Sequence, residues 1–198
     1  MPSDDTSQAD GAQPAPSAKV RYPILEPIGE RTVSLTVNER FGILHNIFKH
    51  QYFATYKAIA DRYGWDVANE IAGGITTEAT PMLADAYRRK FNLTGAGAAL
   101  VSQVVQTEFQ GEGSDVAVLH EDEESAELEI LCGFGSALQG EKYRGTPITD
   151  GLCGAGCRVW MQDIAQSISP DMTAEREQWM VDGAPRCRYR IWHNGSGG

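Results

Sequence analysis

The chain has 198 residues, of which 41% are hydrophobic and 22% are charged, and its formal net charge at pH 7 is −10. This is the composition of an ordinary globular protein that is long enough to bury a sizeable core. The acidic excess leaves no basic face, which excludes nucleic acid and anionic membrane surfaces as general partners. No apolar stretch is long enough to span a membrane.

The segment 1–19 is rich in Ser, Asp, Gln, Ala and Pro and has neither a basic start nor an apolar core. This composition predicts a disordered tail and no secretory signal. We therefore expect a cytoplasmic protein whose cysteines stay reduced. The segment 20–198 is expected to form a single α+β domain, helical over 38–110, with a sheet plus a helix over 115–193.

Helical periodicity dominates the N-terminal half. A first helix is predicted to begin near Glu39, after an Asn38 N-cap. A second region begins near Asp66, and Pro81 is expected to open a new helix within it. A further helix covers roughly 98–109. The first helix carries one apolar stripe at helical spacing, made of Phe41, Leu44, Phe48 and Tyr52.

Alternation of apolar and polar residues indicates strands in the C-terminal half. The segments 116–121 and 126–132 form a predicted hairpin around an acidic turn, and 186–192 alternates after a second turn. A partner strand is expected within 173–181, although that segment is also compatible with a helix. Helical periodicity returns over 152–168. The predicted architecture is a helical N-terminal half packed on a C-terminal antiparallel sheet with one long inserted helix.

Two of the four cysteines lie on strand faces that alternation predicts to be buried. Cys187 shares a face with Tyr189, and the opposite face of that strand carries arginines. Cys132 follows Leu128 and Ile130 in the same way, opposite glutamates. Both thiols are therefore expected to point inward.

The other two cysteines, Cys153 and Cys157, lie four residues apart on one side of the inserted helix, in line with Trp160. Three interpretations of the four thiols remain open. They can be inert core residues, they can hold a structural zinc ion if their elements converge, or they can line a reactive pocket. Cys153 lies in the first turn after Asp150, where a helix N-terminus favours a thiolate.

The histidines supply two further candidates. His120 is the natural general base, although a hairpin that pairs Leu119 with Leu128 turns it outward beside Glu127. His45 belongs to the aromatic part of the first helix and is expected to line the core or a pocket.

Three segments of the C-terminal half resemble the L-2-amino-thiazoline-4-carboxylic acid hydrolase family: "LHEDEESAELEILCGFG", "LCGAGCRVWMQDIAQSISPDM" and "WMVDGAPRCRYRIW". The family pattern is matched in order by Cys132, Cys157, Ser169-Pro170, and Gly183 followed by Cys187. The closing Gly…Cys hairpin is also similar to that of the 4-vinyl-reductase-like small-molecule-binding domains.

The first resemblance implies a hydrolase that opens the ring of a small heterocyclic acid, such as a cyclic amidine or thiazoline. Catalysis would depend on Cys157 or Cys153, with Cys132 and Cys187 lining the same pocket. Arg158 would bind the substrate carboxylate. The second resemblance implies a non-catalytic binding domain. The further residues expected at the ligand are Trp160, Tyr189 and His45. No cofactor is implied, apart from the zinc alternative, and the expected partner is a small molecule, with a homo-oligomer compatible with the sequence.

Overall fold

A computed structural model describes 35–140, 143 and 146–195. The predicted tail over 1–19 lies outside the described residues. Long helices occupy the N-terminal half and a four-stranded antiparallel sheet occupies the C-terminal half, which confirms the predicted α+β class. In the part of the chain that is described, no helix combines the length and apolar character needed to cross a bilayer.

Three long helices form the N-terminal half: α1 (Val37–Tyr63), α2 (Trp65–Phe91) and α3 (Gly97–Gly111). The N-cap of α1 is Thr36 and not the predicted Asn38, because Thr36 forms a capping box with Glu39. The prediction of a new helix at Pro81 is wrong, since α2 continues through this residue. Packing of α2 against the segment 150–168 outweighs the local penalty of the missing N–H.

The predicted apolar stripe of α1 is buried only in part. Leu44 is 64% exposed and Phe48 is 51% exposed, so the stripe does not mark the buried face. The buried residues of α1 are Phe53, Tyr56 and Ala60, which lie in its C-terminal half. The helix therefore packs through its second half, next to α2.

The four strands are β1 (Asp115–Glu121), β2 (Ser125–Leu131), β3 (Met172–Gln178) and β4 (Cys187–His193). They form one antiparallel sheet in the order β1-β2-β4-β3. The predicted hairpin and the predicted strand within 173–181 are both confirmed. The register of the hairpin differs from the expectation, because Val118 pairs with Leu128 and Leu119 lies in a bulge. His120 faces Glu127, as predicted.

The inserted helix consists of two parts. The segment Asp150–Cys157 is π-helical and α5 (Arg158–Ile168) is a regular α-helix. The backbone passes so close to α1 and α2 at Gly151 that a side chain there would overlap Tyr56 and Asn69. A short helix that periodicity does not predict, α4 (Gly133–Leu138), follows β2 directly.

The main core lies between one face of the sheet and the helices α3 and α5. Leu128, Ile130 and Ile191 are fully buried on the sheet side, and Val104 and Ile164 are fully buried on the helix side. A second hydrophobic cluster joins α1 and α2 to α4 and the π-helical segment, and Trp179 packs against both clusters. The candidate site lies where the two clusters meet.

Candidate functional site

A cavity of about 320 Å³ lies between the inner face of the sheet, the inserted helix and the helices α1, α2 and α3. All four cysteines line it, and we call it the cysteine cavity. Most of the remaining lining is aromatic or aliphatic, and its rings belong to Phe48, Tyr52, Phe109, Phe134, Trp160, Trp179 and Tyr189. The predicted inward orientation of the cysteines therefore brings them to one shared cavity, which periodicity alone does not establish.

Each thiol is held by the element that carries it. Cys132 is the N-cap of α4, and its Sγ accepts a hydrogen bond from the Gly135 N–H at 3.3 Å. Cys187 opens β4, and its Sγ accepts from the Met180 N–H at 3.4 Å. Cys157 ends the π-helical segment, with its Sγ 2.9 Å from the Tyr189 hydroxyl.

Burial raises the pKa of all four thiols, which favours their neutral form at neutral pH. Burial, followed by the neighbouring thiol of Cys132, raises the pKa of Cys157 to about 12. Burial is also the largest cause that raises the pKa of Cys132, Cys153 and Cys187. This shift opposes the expected thiolate at Cys153, whose catalytic role stays a prediction. This residue lies in a π-helical segment and is only 8% exposed, and desolvation outweighs any stabilisation from the helix terminus.

Within 35–140, 143 and 146–195, no group of three His, Cys, Asp or Glu side chains is close enough to hold a metal ion. The thiols share the cavity without forming such a group.

The cation of the cysteine cavity is Arg176 of β3, which sequence reasoning missed. Its Nη1 donates to the carbonyl oxygen of Cys153 at 2.7 Å and approaches the Tyr189 hydroxyl at 3.4 Å. Its guanidinium carbon lies 3.6 Å from the ring centroid of Trp179, which is a close cation–π contact. The signal was available in the sequence, because alternation along β3 places Arg176 on the face of the buried Met172 and Ala174.

A second polar region of the cavity lies at the C-terminal end of α3. Glu112 is the C-cap of α3 and lines the cavity together with Glu108. Burial, followed by the nearby Glu108, raises the pKa of Glu112 to about 7. Glu108 in turn accepts a hydrogen bond from the Tyr87 hydroxyl. No periodic signal marks Glu112, since its burial depends on the elements that fold over the end of α3.

The other predicted site residues divide into two groups. Trp160 and Tyr189 line the cavity, and Trp160 also packs edge-to-face against Phe109 with ring centroids 5.7 Å apart. Burial, followed by the nearby thiol of Cys157, raises the pKa of Tyr189 well above its ordinary value. The alternation of β4 and the periodicity of the inserted helix direct these two residues toward the cavity, and their role at a ligand stays a prediction.

Three predicted residues lie away from the cavity lining. His45 contacts the outer side of the lining residue Phe134, at 6.3 Å between ring centroids, and partial burial, followed by Lys49, lowers its pKa. His120 is exposed in the β1–β2 hairpin, with its Nε2 3.0 Å from a carboxylate oxygen of Asp122. Arg158 is exposed at the start of α5, because the residue that follows Cys157 is rotated by about 100° around the helix axis.

Comparison with known proteins finds similarity among solved structures. No family model matches the chain, and no curated protein matches it. Among solved structures, the chain is similar to the crystal structure of the phenol-responsive sensory domain of the transcription activator PoxR with phenol. The identity is 11%, the TM-score is 0.47, and the match covers 75% of this chain and 76% of that one.

Proposed function

We propose that this protein binds a small, mainly apolar molecule in the cysteine cavity. The observation that carries the proposal is the cavity of about 320 Å³ with its aromatic and thiol lining. Protein interiors normally contain few voids larger than a water molecule. Small-molecule sites measure roughly 300–1,000 Å³ and are lined mainly by hydrophobic side chains with few polar groups. An apolar ligand would supply the dispersion contacts that the lining otherwise lacks.

The cysteines support binding more directly than catalysis. The hydrolase that the sequence resemblance implies needs a thiolate at Cys157 or Cys153. Burial raises the pKa of both thiols, so the reactive form is scarce near pH 7. As neutral thiols they act as small apolar side chains and keep the cavity wide. Ring-opening hydrolysis remains the alternative function, and unchanged turnover of a cyclic amidine by the Cys157→Ser variant would argue against it.

The neutral fluorescent probe N-phenyl-1-naphthylamine provides a direct test. We expect the wild-type protein to bind the probe with a rise in probe fluorescence and a change in the emission of the cavity residues Trp160 and Trp179. The Cys157→Phe variant fills part of the cavity and should weaken binding at least about tenfold. The matched control is Leu119→Phe, at a position that is 48% exposed on β1, and it should bind like the wild type.

Two outcomes would overturn the proposal. One is absence of probe binding by the wild type, and the other is equal affinity for the wild type and a folded Cys157→Phe variant. If circular dichroism shows that Cys157→Phe does not fold, Ala79→Phe replaces it, because Ala79 lines the cavity from an exposed position on α2.

A further inference from the structure

We propose that the ligand is a planar aromatic acid whose carboxylate binds to Arg176. This inference rests on the proposed binding function and names the chemical class of the ligand.

Arg176 is a partly buried cation without a carboxylate partner in the described chain. No Asp or Glu oxygen of 35–140 and 146–195 lies within ion-pair distance of its guanidinium. Its electrostatic neighbours are the thiols of Cys153, Cys157 and Cys187 and the hydroxyl of Tyr189, all of them neutral. Charged groups inside proteins are normally paired, since removal from water is costly. A ligand anion would provide the missing partner.

The geometry of Arg176 favours a planar anion. Contacts to Cys153 and Tyr189 use Nη1 alone, and Nε and Nη2 have no hydrogen-bond partner among the described residues. These two nitrogens present parallel N–H groups on one edge of the guanidinium, which matches the two oxygens of a carboxylate. The stacking on Trp179 fixes the plane of the guanidinium, so the donors are oriented before the ligand arrives.

The rest of the cavity favours an aromatic body with a single anionic group. The rings of Trp179 and Tyr189 lie 3.6 and 5.9 Å from the guanidinium carbon of Arg176. Together with Trp160, which also lines the cavity, they provide faces and edges for a flat ligand. The other polar region contains Glu112 and Glu108, whose acidic groups disfavour a second anion.

A matched pair of ligands tests the inference: 1-naphthoic acid and the isosteric, uncharged 1-naphthamide. Isothermal titration calorimetry at neutral pH should give at least about tenfold tighter binding of the acid by the wild type. The Arg176→Met variant should lose this preference, through weaker binding of the acid and little change for the amide. Arg176→Lys should retain part of the preference, because it keeps the charge and loses the planar pair of donors. The control Arg158→Met changes an exposed arginine outside the cavity lining and should behave like the wild type.

The results separate this inference from the proposed function. Equal binding of acid and amide by the wild type would overturn the inference and leave the binding function intact. Binding of the neutral naphthylamine probe without binding of the acid would have the same meaning. If neither ligand nor the probe binds, the proposed function itself is wrong. If Arg176→Met does not fold, the preference of the wild type and the Arg176→Lys variant decides the question.

Discussion

Replacement of Glu112 by Gln should make the stability of this protein less dependent on pH. Burial is the main reason that the pKa of Glu112 is raised from its ordinary 4.5 to about 7. The folded state therefore holds a proton on Glu112 more tightly than the unfolded chain does. Stability from this group is fully present below about pH 4.5 and is lost as the pH rises through about 7.

The size of the effect follows from the same pKa. A rise from 4.5 to about 7 corresponds to about 3 kcal/mol of unfolding free energy at alkaline pH. About 2 kcal/mol of this should develop between about pH 5.5 and pH 8.5. Gln resembles the protonated carboxyl and does not titrate. The Glu112→Gln variant should therefore gain stability over the wild type as the pH increases, with the larger gain at about pH 8.5.

Urea unfolding followed by tryptophan fluorescence at the two pH values measures the change. The matched control is Glu70→Gln, which removes an exposed carboxyl on α2 and should alter stability by less than about 0.5 kcal/mol at either pH. An equal effect of Glu112→Gln at both pH values would refute the reasoning, because the carboxylate would then cost the folded state nothing. A gain at about pH 8.5 that Glu70→Gln reproduces would show that net charge is responsible and not burial.

Three further predictions concern the thiols, the core and the backbone. In the native protein at about pH 7, the four thiols should react with iodoacetamide at least about 100-fold more slowly than in urea, because burial raises their pKa. Mass spectrometry measures the rates of alkylation. Similar rates in both conditions would contradict this prediction. Leu128→Ala should lower the unfolding free energy by about 2–5 kcal/mol. The control Leu119→Ala, at a half-exposed position, should lower it by less than about 0.5 kcal/mol. Equal losses of the two variants in chemical denaturation would argue against the described core. Gly151→Ala should destabilise the protein because the new methyl group would overlap Tyr56. Gly74→Ala lies in the middle of α2, where the added methyl group meets nothing within 4 Å, and it should stabilise the protein by about 0.5–1 kcal/mol. Melting temperatures of the two variants that move in the same direction would refute this contrast.

Local alternation was sufficient to orient the strand residues of the site. Cys187 and Tyr189 both face the core, as the arginines on the opposite side of β4 indicate, and Cys132 faces the cavity from the end of β2. The same rule places Arg176 inward on β3, whereas Arg158, which was expected at the ligand because it adjoins Cys157, is exposed. The catalytic roles assigned to the cysteines stay predictions.

Structural features that depend on contacts between distant parts of the chain could not be predicted from local alternation. The continuity of α2 through Pro81 and the exposure of Leu44 on α1 depend on which elements pack beside these helices. The burial of Glu112 at the end of α3 has the same origin. A sequence window reports the propensity of its own residues, and it contains no information on what lies across the interface.

The sequence by itself determined the α+β class, most of the strands and helices, and the inward direction of the thiols, because these follow from the periodicity of neighbouring residues. Only the tertiary structure decided that the four thiols share one cavity with Arg176 and Glu112. The reason is physical: a void and the charges around it exist only once separate elements meet, and burial then sets the pKa values that make the thiols neutral and leave Glu112 close to titration at pH 7.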